Sequence, residues 1–531
     1  MKNWAKILIA FVLVVFLVGS FGSCKGITKE QVPTPQEVVK ECLCPPKEAK
    51  EVDFSILNDA EILLRQNSVY RKKLQNPAET TEVIFETFFI HINVPLEKIP
   101  EWAKIEKDAA VNEALEKKKP VDYSFFNKIF KRMVEDEGFS NLDNSEVKFK
   151  LLKSMMQGFI NSIGDPFAAY ADPVEVSLGI TENRGEYEGI GVTMDLIQGR
   201  FVITGVLEGS PALEAGIQVG DVILEIDGKD PSGCTMREFS LYIRGKEDPK
   251  MTFKIKRGEQ IVEIALEKRA VKQIQLATWP SFDLPDGDSQ RNTAKDLPYN
   301  FPLKDRDGSV VDNVVYIKMA EFSIQMANDL YYVLQRIPWA NYQGIIIDLR
   351  GNPGGYVSST IAALSYFLNG GDIAIMTEDY NERKDFEIIP RARVNLGQGD
   401  WAVTAHPGLV PAGVPVVILI DSQSFSGSEV FAGSMRDHQR AVLVGKERSG
   451  GKGTINNWFQ LRKGEYGALY IAIGLWKTPN GEFVEPLRRD EKGGLAPQVL
   501  VEWTDSDRIK QGQNPDYDLD IFAVLDVLFK K

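Results

Sequence analysis

The stretch Gly344-Ile345-Ile346-Ile347-Asp348-Leu349-Arg350-Gly351-Asn352-Pro353-Gly354-Gly355 passes from an unbroken apolar run directly into a turn. A run with no polar alternation suits a strand buried on both faces. Asn-Pro-Gly-Gly then turns the chain sharply, because proline fixes φ and glycine accepts a positive φ. A helix follows from Val357 to Leu368. Working outward, Val314 to Lys318, Pro415 to Ile420 and Ala441 to Val444 read as further strands, and Met326 to Ile337 as an amphipathic helix. Alternating strands and helices predict an α/β core around a mainly parallel sheet. Asp518 to Leu528 reads as a short closing helix, and the polar stretches 280–312 and 380–412 as loops.

From Gly189 to Arg269 the pattern changes to short strands. Phe201 to Val206 is a strand, and Gly209-Ser210-Pro211-Ala212 turns into a short helix ending at Ala215-Gly216. Val219 to Gly228 reads as turn, strand, turn, and Met251 to Lys256 pairs with Ile261 to Leu266 around Arg257-Gly258. This order, headed by Gly189-Ile190-Gly191-Val192, closely resembles a PDZ domain of the bacterial kind. The resemblance implies that a peptide C-terminus adds as a strand to a sheet edge. Gly189, Ile190, Gly191 and Val192 would receive it, the turn offering backbone N–H groups to its carboxylate.

The chain has 531 residues, 43% hydrophobic and 26% charged, which excludes a wholly disordered or polytopic membrane protein. A net charge of −13 argues against nucleic acid as a partner. The histidines are His91, His406 and His438, and the cysteines Cys24, Cys42, Cys44 and Cys234. A histidine-rich metal centre and a disulfide scaffold are therefore not expected, and neither a metal nor a cofactor is called for. Lys2, Lys6 and the apolar run Ile7 to Val18 read as an export signal, too short to span a bilayer. Phe21-Gly22-Ser23-Cys24 resembles the lipobox of bacterial lipoproteins, which implies lipidation of Cys24 and a membrane-anchored, periplasmic place in the cell envelope. Residues 25–53, rich in Lys, Glu and Pro, read as a tether. Cys42 and Cys44 stand too close to bridge one another without strain, so free thiols or intermolecular pairing are expected. From Phe54 to Ile163 the chain is helix-rich, with Phe54, Leu57, Ala60 and Leu64 on one face and Phe126, Ile129 and Met133 on another. It reads as a packing or dimerisation domain, with His91 a packed or surface histidine.

Three segments carry chemistry. They are Asp348 to Gly355, then Asp421-Ser422-Gln423-Ser424-Phe425-Ser426-Gly427-Ser428-Glu429, then Gly450-Gly451-Lys452-Gly453-Thr454. A serine at a strand-to-helix turn exposes its hydroxyl beside the free N–H groups of the helix start, which suit a developing oxyanion. A desolvated lysine loses its proton more readily and can serve such a serine as general base. Taken singly, each segment has an ordinary explanation: serine turns are common helix caps, and glycine-flanked lysines are common surface turns.

Together they closely resemble the carboxy-terminal processing, or tail-specific, proteases, from about Gly164 to the end. Gly164-Asp165-Pro166-Phe167, Tyr170 and Pro173-Val174-Glu175 look like the family segment that precedes the PDZ domain. The resemblance implies a serine endopeptidase acting on protein substrates with accessible C-termini. Ser426 would be the nucleophile and Lys452 the base, with no cofactor. Gly427 and the Gly354-Gly355 turn would supply the oxyanion donors, Asp437 would support the region, and Asn456 would stand where the family has a lysine-orienting glutamine. Asn456 is one methylene shorter, so it reaches Lys452 only if the backbone shifts; an extra residue at Ser449-Gly450-Gly451 allows for that. The expected organisation is multi-domain α/β: signal 1–23, tether 24–53, helical N-terminal domain 54–176, bacterial-type PDZ domain 177–270, and an α/β serine protease core with a C-terminal helix at 271–531. Two alternatives stand beside it. One is a Ser-His-Asp hydrolase using His438 next to Asp437, and the other a catalytically decayed PDZ scaffold of the same fold.

Overall fold

The computed structural model describes the chain from Val52 to Phe529, apart from 140–144, 178–185, 283–301, 388–392, 395–402, 486–491 and shorter breaks. The signal, Cys24, Cys42, Cys44 and nearly all of the tether lie outside the described residues. Among the described residues no helix is long and apolar enough to cross a membrane.

Among the described residues the N-terminal part holds five α-helices, α1 (Ile56–Asn67), α2 (Pro77–His91), α3 (Glu101–Lys117), α4 (Phe125–Val134) and α5 (Ser145–Ile163). Their ends are written locally. Asn76 caps α2 by accepting the Glu79 N–H, with Pro77 at the first helical position. Lys118 closes α3 in the left-handed conformation. The predicted apolar positions Phe54, Leu57, Ala60, Leu64, Phe126, Ile129 and Met133 are all buried. Side chains such as Phe88, Phe126 and Phe159 contribute about 1.5–3 kcal/mol each by burial. His91 is partly buried, with its Nδ1 2.8 Å from Ser154 Oγ.

A three-residue strand, β1 (Ala169–Ala171), leads to the PDZ elements β2 (Glu186–Gly189), β3 (Val192–Ile197), β4 (Arg200–Val206), α6 (Pro211–Glu214), β5 (Val222–Ile226), α7 (Met236–Gly245), β6 (Lys250–Arg257), β7 (Gln260–Glu267) and β8 (Arg269–Lys272). They form a five-stranded sheet in the order β3-β4-β5-β6-β7, while β2 pairs with β8. Ser210 caps α6 through its hydroxyl, which accepts the Leu213 N–H at 3.2 Å. Cys234, in the loop before α7, is 4% exposed and disulfide-bonded.

The core contains β9 (Leu276–Trp279), β10 (Val314–Met319), α8 (Ile324–Arg336), β11 (Gly344–Asp348), α9 (Val357–Phe367), β12 (Asp372–Asp379), β13 (Glu382–Glu387), β14 (Arg393–Val394), β15 (Val403–Thr404), β16 (Val416–Leu419), α10 (Gly427–Asp437), β17 (Val442–Gly445), β18 (Thr454–Gln460), β19 (Ala468–Lys477), β20 (Val499–Leu500) and α11 (Leu519–Phe529). Its six-stranded sheet has the order β20-β17-β16-β11-β10-β9, parallel except for β9 at the edge. Alternate residues of β11 explain the unbroken apolar run. Ile345 and Ile347 pack under α8, α9 and α10, whereas Ile346 packs with Val417 against α11.

A second sheet joins β1, β19, β12 and β13, with β18 also on β19. The stretch 380–412 was expected to be loop, yet it supplies β13, β14 and β15. The sequence Glu382-Arg383-Lys384-Asp385 has no apolar alternation, so periodicity does not reveal the strand. The helical part is also not self-contained. Its apolar cluster includes Leu461, Tyr466, Leu469 and Ile471, so α1–α5 share one core with β19.

Candidate active site

The turn after β11 and the serine segment form one unit built on Asn352, which is fully buried. Its Nδ2 donates to the Met319 carbonyl at 3.0 Å, and its Oδ1 accepts the Gly354 N–H at 2.9 Å. Its own carbonyl accepts the Phe425 N–H at 3.0 Å and the Ser428 hydroxyl at 2.9 Å. Beneath it, Arg350 pairs with Asp348 at 2.7 Å and with Asp518 at 2.9 Å, tying the turn to the chain entering α11.

Of the serines in Ser424-Phe425-Ser426-Gly427-Ser428, two are structural. Ser424 donates to the Leu349 carbonyl at 2.8 Å, and Ser428 bonds Asn352; both are fully buried. Ser426 is partly exposed at the N-terminus of α10. Its backbone sits at φ 52° and ψ −111°. Such a conformation costs a non-glycine residue about 1–3 kcal/mol and marks functional positions.

Glu429 braces this strained residue. One carboxylate oxygen accepts the N–H of both Ser426 and Lys452, each at 2.8 Å. The other accepts Ser449 Oγ at 2.6 Å and the Gly451 N–H at 2.8 Å. Burial pushes the Glu429 carboxyl up, and these four hydrogen bonds oppose that. Glu429 thereby joins the serine segment to the lysine segment. The residue stood in the motif as a landmark, and its spacing of three from Ser426 is the available signal.

No hydrogen bond joins the Ser426 hydroxyl to the Lys452 amine in this structure. Lys452 Nζ instead lies 3.3 Å from the Tyr470 hydroxyl and 5.1 Å from the ring centres of Phe167 and Tyr470. Burial pushes the amine below the ordinary lysine range, while the negative charges of Asp165, Glu485 and Glu429 pull it back up. Asp165, Phe167, Tyr470 and Glu485 were not singled out as site residues from the sequence.

The remaining candidates separate clearly. Asn456 was expected to orient Lys452, but its Oδ1 accepts the Thr454 hydroxyl at 2.9 Å and makes no bond to the lysine. A β-bulge between Ile455 and Asn456 accompanies this. Gly354 was expected as an oxyanion donor, but its N–H is held by Asn352. The N–H groups of Gly355 and Gly427 have no acceptor among the described residues. They are neighbours: a Cβ placed on Gly427 would lie 3.3 Å from Gly355 N. Asp437 sits at the far end of α10, where it pairs with Arg436 and accepts the Asn480 N–H at 2.8 Å. It supports the turn at Thr478 to Glu482 and does not touch Ser426. His438 ends the same helix, about 18 Å from Ser426 at 1.5 Å per residue, so a Ser426–His438 pair is not formed.

In the PDZ part, Gly189 ends β2 and Val192 begins β3, the free edge of the five-stranded sheet. Gly191 has φ 77°, and a Cβ there would stand 2.2 Å from the Ser210 Cβ. Glycine is thus required for the approach of α6. The N–H groups of Ile190 and Gly191 have no acceptor among the described residues, while the two carbonyls accept from Ala212 and Leu207. Among the described residues no group of three or more His, Cys, Asp or Glu is placed to hold a metal ion.

Residues 313–501 match the model of peptidase family S41, and residues 202–257 match that of the PDZ domain. A carboxy-terminal-processing protease of Bartonella bacilliformis is 27% identical over 66% of this chain and 70% of its own length. The carboxy-terminal processing protease CtpA of Bacillus subtilis is 26% identical over 67% of this chain and 65% of its own. The chain thus spans about two thirds of the length of these curated relatives. A solved photosystem II D1 C-terminal processing protease aligns over 85% of this chain and 94% of its own, at 17% identity and a TM-score of 0.44.

Proposed function

Because the chain belongs to peptidase family S41 and is a serine-type peptidase, we propose that it is an endopeptidase cutting proteins whose C-terminal tails it holds in the PDZ groove. Ser426 is the nucleophile and Lys452 the general base. The observation that carries this reading is Glu429, whose single oxygen binds the backbone N–H of both residues.

Lys452 in its neutral form takes the Ser426 proton as the oxygen attacks the scissile carbonyl. The tetrahedral oxyanion is met by the N–H groups of Gly355 and Gly427. Lys452, now protonated, gives its proton to the leaving amine, and an acyl-enzyme on Ser426 remains. Water then releases the acyl group, again with Lys452 as base. A decayed scaffold does not account for the strained Ser426 backbone or for a lysine amine drawn below its ordinary range, since both cost stability.

The base works only when unprotonated. The rate constant kcat/KM is therefore expected to rise with pH through an apparent pKa below the ordinary lysine value of 10.5. A pH profile on an unfolded protein substrate checks this, and a flat profile counts against Lys452 as base. Tail capture is tested by amidating the substrate C-terminus. KM is expected to rise while kcat changes little; an unchanged KM means that the carboxylate is not read. Export and lipidation of Cys24 belong to the same proposal and rest on the lipobox-like Phe21 to Cys24. The mass of the mature N-terminal peptide from membranes tests them.

A further inference from the structure

The lysine of the dyad needs a partner that holds its amine toward Ser426, and the residue four places on does not serve. Asn456 Oδ1 is taken by Thr454, and Asn456 Nδ2 is buried without a partner among the described residues. The group in contact with the amine is the Tyr470 hydroxyl, at 3.3 Å. Tyr470 lies in the middle of β19, facing Trp458 of β18 on one side and Ala169 of β1 on the other. Its ring packs on Trp458 with centres 4.9 Å apart, which fixes where the hydroxyl points.

The wall opposite comes from the end of the helical part. Asp165 accepts the Phe167 N–H at 2.9 Å through one oxygen and the Ala472 N–H at 3.0 Å through the other. It thus clamps the Phe167 ring and the Tyr470 strand around one amine. Its negative charge acts on both Lys452 and Tyr470. Glu485, which accepts the Tyr70 hydroxyl at 2.8 Å, also acts on the amine through its negative charge. The charged groups acting on Lys452 are thus Asp165 before β1, Glu485 after β19 and Glu429 on α10.

We propose that Tyr470 is the positioning residue of Lys452 and that Asp165 and Phe167, carried to the site by β1, hold the hydroxyl and the amine together. The inference rests on the serine–lysine reading. Its chemistry follows from the two roles of a phenol hydroxyl. Toward a lysine ammonium the oxygen accepts, and toward a neutral amine the O–H donates. Tyr470 can therefore follow Lys452 through both halves of the proton transfer without itself ionising. Burial, with Asp165 nearby, pushes the pKa of its hydroxyl up to about 12. On this view the helical domain supplies part of the catalytic apparatus, and α1–α5 are more than packing.

The test uses the full chain and compares Tyr470→Phe, Asp165→Asn and Asn456→Ala with the parent and with Lys452→Met. Tyr470→Phe keeps the ring and its packing. It is expected to lower kcat by about 10²-fold, as for a misplaced catalytic group, with KM changed little and the melting temperature retained. Asp165→Asn removes a charge that favours the ammonium. Its kcat/KM profile is expected to rise at lower pH than the parent's, a shift that a purely structural role would not produce. A parental kcat and pH profile in Tyr470→Phe, with Lys452→Met inactive, overturns the Tyr470 assignment alone. So does a larger loss of kcat in Asn456→Ala than in Tyr470→Phe. Cleavage retained by Lys452→Met overturns the assignment together with the reading on which it rests.

Discussion

Ser426→Ala and Lys452→Met are each expected to lower kcat/KM by about 10⁴-fold or more, and the double variant by no more than the worse single one. Nucleophile and base act as a unit, so removing either removes the step both perform. The losses should come without unfolding. Among the described residues Lys452 makes no ion pair, and of the carboxylates whose charge acts on it Asp165 keeps two backbone N–H donors and Glu485 keeps the Tyr70 hydroxyl, so Met at this position removes a desolvated amine and leaves their hydrogen bonds in place. Ser426→Gly should behave similarly, because glycine adopts φ 52° at little cost, and a melting temperature above the parent's is expected. Lys452 also gives the parent a pH signature. Its folded-state pKa is lowered, so between that value and the ordinary 10.5 the unfolded chain binds more protons. Parent stability therefore rises with pH across that window and loses this slope in Lys452→Met. Substrate cleavage together with thermal melting across pH checks both halves. Activity within tenfold of the parent in either single variant overturns the dyad.

The sequence makes the central sheet legible for physical reasons. Gly344 to Asp348 reads correctly because both faces of β11 are covered, leaving no reason for a polar residue. A serine at a strand-to-helix turn is legible as a helix start, while the choice of Ser426 among its neighbours comes from the resemblance of Ser424 to Glu429 to the family motif. The environment of Lys452 is not legible in the same way. Tyr70 meets Glu485 across 415 positions, and Asp165 meets Ala472 across 307. The strand that brings Asp165 and Phe167 to the lysine is three residues long, too short to show a period. Asn456 fails as a lysine partner because spacing along a strand predicts facing only where the ladder is regular. Here a bulge at Ile455 and Asn456 breaks it. The Gly354-Gly355 pair was legible as a turn, but which N–H is free depends on the buried Asn352 side chain, a tertiary contact.

Gly354→Ala is expected to lower kcat by about 10²- to 10³-fold, the cost of losing one oxyanion donor. Gly354 has φ 96°, and its missing side chain is where the turn touches the helix start. A Cβ there would stand 2.7 Å from both Gly427 N and the Phe425 carbonyl, and 2.9 Å from the Ser426 Cβ. All three belong to the nucleophile segment, and two are backbone atoms that cannot swing aside. The turn must retreat, which carries the Gly355 N–H away from the Gly427 N–H and opens the site where the oxyanion forms. The effect should fall on kcat, because these donors bind charge that exists only after attack. Gly351→Ala separates this from general strain in the turn. Gly351 also has a positive φ, 73°, but a Cβ there meets nothing within 4 Å. It is expected to cost about 1–2 kcal/mol of stability through its left-handed backbone and to keep kcat near the parent value. Steady-state kinetics and melting of the two variants decide the matter. Equal losses of kcat would assign the effect to the turn's conformation, whereas a loss confined to Gly354→Ala assigns it to the paired N–H groups beside Ser426.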